Sequence, residues 1–221
     1  MTESSPDFNP SLVSPNLPPN LSTGGVPVKL GILASGNGSN FEAVQSAIAQ
    51  EQLNAQIQVL IYNHLEAKVA ARAAHWGIPS VLWKHRDFQC REDFDRQIVQ
   101  TLQQYEVEWV VMAGWMRLVT PVLIDAFPHQ IINIHPSLLP SFRGVKAVEQ
   151  ALRAGVKITG CTVHLVCLEM DSGPILLQAA VPVLPDDTPE TLHARIQVQE
   201  HRILPSAIAL ATFGSRKERL G

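Results

Sequence analysis

Between residues 28 and 135, short apolar runs alternate with longer amphipathic segments, and this rhythm constrains the fold more than any other feature. "VKLGILAS" (28–35), "QIQVLIYN" (56–63), "SVLWK" (80–84), "WVVMAG" (109–114) and "IINIH" (131–135) read as strands. Between them, "NFEAVQSAIAQEQL" (40–53), "EAKVAARAAHWG" (66–77), "REDFDRQIVQTLQQYE" (91–106) and a short segment from Thr120 read as helices. Such alternation predicts an α/β fold with a Rossmann-like, mostly parallel sheet and helices on both faces. The last third departs from it. After the helical "VKAVEQALRAG" (145–155), "ITGCTVHLVCLE" (158–169) and "ILLQAAVPVL" (175–184) are separated only by the turn "MDSGP". Strands joined so closely pair antiparallel. A helix over about 188–213, bent at Pro205, is expected to follow.

Composition narrows the function. Hydrophobic residues make up 46% of the 221 and charged residues 17%, so the chain builds a core. A net charge of −3 argues against nucleic-acid binding, which needs a basic face. Cys90, Cys161 and Cys167 show no CxxC spacing and fit a reduced, cytoplasmic protein. No run approaches the ~20 apolar residues of a membrane span. Residues 1–27 are rich in Pro, Ser and Asn, without Lys or Arg and without the apolar stretch of a signal peptide. They read as a flexible tail ahead of a single domain, 28–221.

Two strand ends carry chemistry. The first strand runs into "ASGNGSNF" (34–41), a glycine turn that opens a helix and offers backbone N–H groups to a phosphate. It lacks the GK[ST] of a P-loop. It also lacks the third glycine of a dinucleotide fingerprint, having Phe41 there, and the acid after the second strand, having Tyr62 and Asn63. Two readings remain open. One is a single terminal phosphate on Gly38, Ser39 and Asn40; the other is a tight turn capped by Asn40 or Ser39.

The strand "IINIH" ends in Asn133 and His135, which share one face ~6.7 Å apart along the strand. Ligands of open α/β sheets bind beyond such strand ends. An amide and an imidazole there suit an oxygen that becomes negative during acyl transfer. An ordinary core histidine beside a capping Asn is the plainer alternative. Asp171, in "EMDSGP", would favour a charged imidazole if it met His135, since a neighbouring carboxylate stabilises imidazolium. The other histidines show no metal spacing, so no metal is expected.

Taken together, "SGNGSNF", "MAGWMRLV" (112–119), "NIHPSLLPSFRG" (133–144), "MDSGPILLQ" (170–178) and "RIQVQEH" (195–201) resemble the phosphoribosylglycinamide formyltransferase family of purine synthesis. The likeness covers roughly residues 28–213. It implies a catalytic set of Asn133, His135 and Asp171. It implies phosphate contacts from Gly38, Ser39 and Asn40, and glycinamide contacts from Gln197 and Glu200. Contacts to the co-substrate 10-formyltetrahydrofolate would come from Arg91, Met116, Arg117, Leu118, Val119 and Asn133. Those of the following loop would come from Cys167, Leu168, Glu169, Met170 and Asp171.

On this likeness the amine of glycinamide ribonucleotide attacks the formyl carbon while Asn133 and protonated His135 stabilise the oxyanion. "NIHPSLLP" also marks methionyl-tRNA formyltransferase and formyltetrahydrofolate deformylase. The first would need a C-terminal RNA-binding domain of about a hundred residues, the second an N-terminal regulatory domain. A non-catalytic nucleotide-binding module would leave Asn133, His135 and Asp171 unexplained. The partners expected are therefore two small molecules, with neither nucleic acid nor membrane.

Overall fold

A computed structural model describes residues 12–15 and 25–220. Its strands are β1 (Val13–Ser14), β2 (Val28–Ala34), β3 (Ala55–Tyr62), β4 (Ser80–Leu82), β5 (Trp109–Met112), β6 (Ile131–His135), β7 (Ile158–Leu165) and β8 (Ile175–Pro182). Its helices are α1 (Ser39–Ala49), α2 (Val69–His75), α3 (Arg91–Gln104), α4 (Pro121–Ala126), α5 (Ala147–Ala154) and α6 (Pro189–Leu220). They build one sheet in the order β1-β8-β7-β6-β5-β2-β3-β4.

The expected mixture is present. β4, β3, β2, β5 and β6 run parallel, and β6–β7, β7–β8 and β8–β1 pair antiparallel. Both faces are covered, which is why β2 and β5 read as almost continuous apolar runs. Leu30, Ile32, Val111, Ile132 and Ile134 join α1 and α6 in one core cluster. Leu33, Val110, Met112 and Ile131 point the other way, onto Phe94, Ile98 and Leu102 of α3. On that helix the three buried residues are spaced four apart, the period that lines one helical face.

The chain starts at β2, proceeds through β3 and β4 on one side, then returns to β5 and β6 on the other. The strand order therefore reverses between β2 and β5, where a crevice opens beyond the strand ends. Just past those strand ends the Ser35 N–H donates to the Gly114 carbonyl, 3.0 Å.

Three expectations need adjustment. β7 ends at Leu165 and not near Glu169: the Val166 N–H makes a last bond to the Ile131 carbonyl of β6, 2.8 Å, and the chain then enters the loop. Helix α6 continues through the buried Pro205 to Leu220. Within the stretch read as a tail, Val13–Ser14 pair with Ala179 and Gln178 of β8. Two residues suffice for that pairing, too few for any periodicity to announce it. The rest of that stretch lies outside the described residues, apart from Leu12, Pro15 and residues 25–27.

Candidate active site

Asn133, His135 and Asp171 converge, although the last comes from a loop 36 positions further along the chain than His135. His135 is buried, with Nδ1 3.4 Å from Asp171 Oδ2 and Nε2 2.9 Å from the Phe142 carbonyl oxygen. Both neighbours only accept hydrogen bonds, so the charged ring satisfies both contacts and the neutral ring one. Asp171 Oδ2 also accepts the Gly144 N–H, 2.8 Å. Burial pushes the Asp171 carboxyl up, but His164, the Gly144 N–H and the field of His135 outweigh that and hold it below its ordinary value.

His164 is the residue that sequence reasoning missed. It lies opposite Asn133 in the antiparallel β6–β7 register. Its Nδ1 is 2.9 Å from the Leu165 carbonyl, which can only accept, so Nδ1 carries a proton. In that tautomer Nε2 accepts from the Asn133 amide at 3.1 Å. The same Nε2 is 3.7 Å from Asp171 Oδ1, too far for a hydrogen bond. His164 thus stands between the amide and the carboxylate, and only the strand register brings it there.

The proline-rich loop after β6 is fastened from below. Thr162 Oγ donates to the Ser137 carbonyl at 2.7 Å and accepts the Leu139 N–H at 3.0 Å. Gln178 Nε2 donates to Thr162 Oγ and to the Leu139 carbonyl, each at 2.9 Å. These buried anchors carry the chain to Phe142, whose carbonyl meets His135.

The glycine loop has its own scaffold. Gly38 has φ 76°, a left-handed conformation, and a side chain there would run into Val69, with a Cβ only 2.5 Å from Val69 Cγ2. Close packing on α2 therefore demands glycine whatever the loop binds. The Gly36 carbonyl accepts the Val69 N–H, and the Asn37 carbonyl accepts Arg72 Nε at 2.8 Å. No side chain caps α1, so its first N–H groups are uncapped. Asn40 and Glu200 are both buried and joined, Nδ2 to Oε2, at 3.0 Å. Burial raises the Glu200 carboxyl above its ordinary value. Asn40 Oδ1 is buried without a hydrogen-bond partner among the described residues. Gln197 lies half-buried one turn earlier on α6.

A cleft of about 360 Å3 is lined by Arg91, Glu92, Leu118, Val119, Thr120, Pro121, Leu168 and Met170. It gathers five of the residues expected at the folate and adds Glu92, Thr120 and Pro121. The other six, Met116, Arg117, Asn133, Cys167, Glu169 and Asp171, do not line it. Arg117 lies over the Phe94 ring, 5.2 Å from its centre, and Glu169 pairs with Arg143 at 2.7 Å. A larger cavity, about 680 Å3, follows α1 from Ser39 to Gln52 against α6 and contains neither His135 nor Asp171. No three His, Cys, Asp or Glu side chains among the described residues are placed to hold a metal.

The chain belongs to the formyl transferase family, whose pattern matches residues 28–208. It is a formyl-group transferase. It is 44% identical over 180 residues to phosphoribosylglycinamide formyltransferase of Bacillus subtilis (strain 168), covering 81% of this chain and 92% of that one. The crystal structure of glycinamide ribonucleotide transformylase 1 from Symbiobacterium toebii has a TM-score of 0.84 and 43% identity, covering 85% of this chain and 89% of that one. The trifunctional purine biosynthetic protein adenosine-3 of Gallus gallus is 39% identical over 188 residues; they cover 85% of this chain but only 19% of that one.

Proposed function

We propose that residues 28–221 form one domain that transfers the formyl group of 10-formyltetrahydrofolate to the amine of glycinamide ribonucleotide. The observation that carries this reading is the convergence of Asn133, His135 and Asp171, and two further regions suit the two substrates. One is the cleft of Leu118, Val119, Leu168 and Met170, with Arg91 at its rim. Apolar walls and one cation suit a flat ring system with an acidic tail. The other begins at the uncapped N-terminus of α1, suited to a phosphate monoester. It ends at Glu200 and the unpartnered Asn40 Oδ1, acceptors suited to the amine and amide N–H groups of glycinamide.

In this reading the amine attacks the formyl carbon and the carbonyl oxygen becomes negative. Asn133 donates its second amide hydrogen to that oxygen, the first being held on His164. His135 donates Nε2–H, which the oxygen takes over from the Phe142 carbonyl. Asp171, on Nδ1, keeps the ring oriented. The amine gives up its proton as the folate nitrogen takes one and leaves. Preorganised donors of this kind act mainly on the transition state.

Mixing the protein with 10-formyltetrahydrofolate and glycinamide ribonucleotide tests the reading directly. Formylated ribonucleotide should appear with tetrahydrofolate in equal amounts. Formylation of methionyl-tRNA instead, or release of formate without an acceptor, would overturn it. His135→Ala should lower kcat by ~100-fold or more while the KM values move little. A folded variant with near-normal kcat would remove His135 from the mechanism.

A further inference from the structure

Residues 166–174 form a loop closed upon itself, and we propose that the Cys167 thiol and the Ser172 hydroxyl are positioning residues whose closure of this loop aims Asp171 at His135. The inference rests on the catalytic reading of Asp171. At the neck, the Leu165 N–H donates to the Pro174 carbonyl at 2.9 Å. Gly173 passes so close that a Cβ would sit 1.9 Å from the Leu165 carbonyl oxygen. Inside the loop, Ser172 Oγ donates to the Glu169 carbonyl at 2.8 Å. Cys167 Sγ lies 3.1 Å from Ser172 Oγ and 3.4 Å from the same Glu169 carbonyl. Three groups thus tie positions 167, 169 and 172 into one small ring.

Asp171 lies inside that ring's span with φ 50°, a left-handed conformation uncommon for non-glycine residues and most open to Asn and Asp. The closure fixes the backbone on both sides of it, and the side-chain direction follows. Its carboxylate then reaches the Gly144 N–H at 2.8 Å and His135 Nδ1 at 3.4 Å. A drift of about 1 Å would break the second contact, and misplacements of that size are costly in catalysis. Neither Cys167 nor Ser172 touches His135 or Asn133 through any contact described above, so they act through the placement of Asp171.

The test compares Cys167→Ala, Ser172→Ala, the double variant and Cys167→Ser, which keeps a donor and an acceptor at that position. Two readouts are needed, kcat with both substrates saturating and hydrogen exchange at the Gly144 and Leu165 amides. Each alanine variant should lose roughly three- to tenfold in kcat, the factor an ordinary hydrogen bond is worth. Gly144 exchange should quicken by a similar factor while Leu165, at the neck, keeps its protection. The double variant should be no worse than the poorer single one, and Cys167→Ser should stay within about twofold of the parent. Losses that multiply in the double variant, or unchanged Gly144 exchange, would overturn the shared closure. A fall in stability with kcat per folded molecule intact would reduce both residues to a structural role. Asp171→Asn with full kcat would instead sink the reading of Asp171 itself, and Gly144 exchange separates that failure from a failure of the closure.

Discussion

Two carboxyls of the site are shifted in opposite directions, and the residues around them say why. Asp171 accepts the Gly144 N–H and lies between two imidazoles, so it is held below its ordinary value. A lowered acid stabilises the fold above its ordinary pKa, ~3.9, and loses that contribution as pH falls through the folded value. The stability advantage of the parent over Asp171→Asn should therefore be full at neutral pH and vanish under acid unfolding conditions. Denaturant titrations from pH 7 to about 3 measure it, and a difference independent of pH would contradict the placement. Glu200 is the reverse, raised by burial with Asn40 as its donor. A raised acid costs stability above the folded value and nothing below the ordinary one. Glu200→Gln should thus stabilise the protein at pH 7, converge with the parent in acid, and weaken ribonucleotide binding. Calorimetry at two pH values reads the first part and KM the last. At Gly38 the constraint is steric rather than electrostatic. A bulky residue there collides with Val69 before any phosphate is considered, so loss of binding alone would prove nothing. Gly38→Ala should cost on the order of 1–3 kcal/mol even without ligand, from the positive φ and the contact together.

At the scale of elements, β7 serves the site more than its sequence announces. Thr162 fastens the loop beyond β6 and His164 meets Asn133, both from alternate positions on one face. Thr162→Val keeps the shape and leaves the Ser137 carbonyl, the Leu139 N–H and one Gln178 contact unpaired in a buried place. About 2–4 kcal/mol of stability should be lost, with kcat falling further as Phe142 loses its anchor. Thermal unfolding and turnover on one preparation check both; an unaffected Tm would show the anchor is dispensable. The strand's existence was legible from its apolar run, and so was its pairing with β8 across a short turn. Its end was not, because Val166, Cys167 and Leu168 continue the apolar run although the last ladder bond to β6 is made at Val166. Its register against β6 was not legible either. The connection between them runs from Pro136 to Lys157 through α5, and such a link fixes no alignment. That is why Asn133 and His135, two positions apart on one strand, stood out while His164 did not. Asp171 stood out as a turn acid, but only the folded loop shows which histidines it meets.

Across the whole molecule, the two ends of the sheet are managed differently. One edge is β4, three residues long and too short to recruit another strand. Towards the other end β8 is eight residues long, and among the described residues its outer side is paired where β1 meets Ala179 and Gln178. The Ala180 N–H, on that side, donates to the Leu12 carbonyl at 3.0 Å, and Val13 packs against the core. The apolar area involved is small, worth roughly 1 kcal/mol for a half-buried valine. Deleting residues 1–26 should therefore lower stability by only about that much. Turnover should be largely preserved, because β8 and β7 lie between β1 and the Asn133–His135 strand, and Gln178 keeps its own contacts to Thr162 and Leu139. The larger consequence is at the edge itself. Removing β1 exposes unpaired backbone groups along β8, including the Ala180 N–H, and such an edge pairs readily with another copy. The truncated protein should show more concentration-dependent self-association than the full chain, measured by light scattering over a range of concentrations. A Lys placed on the outward face at Ala180 of the truncated form should reverse it, since a charge on an edge strand discourages pairing. Equal association of both forms would show that β1 is no edge guard, and a large fall in Tm would give it a share in the core instead.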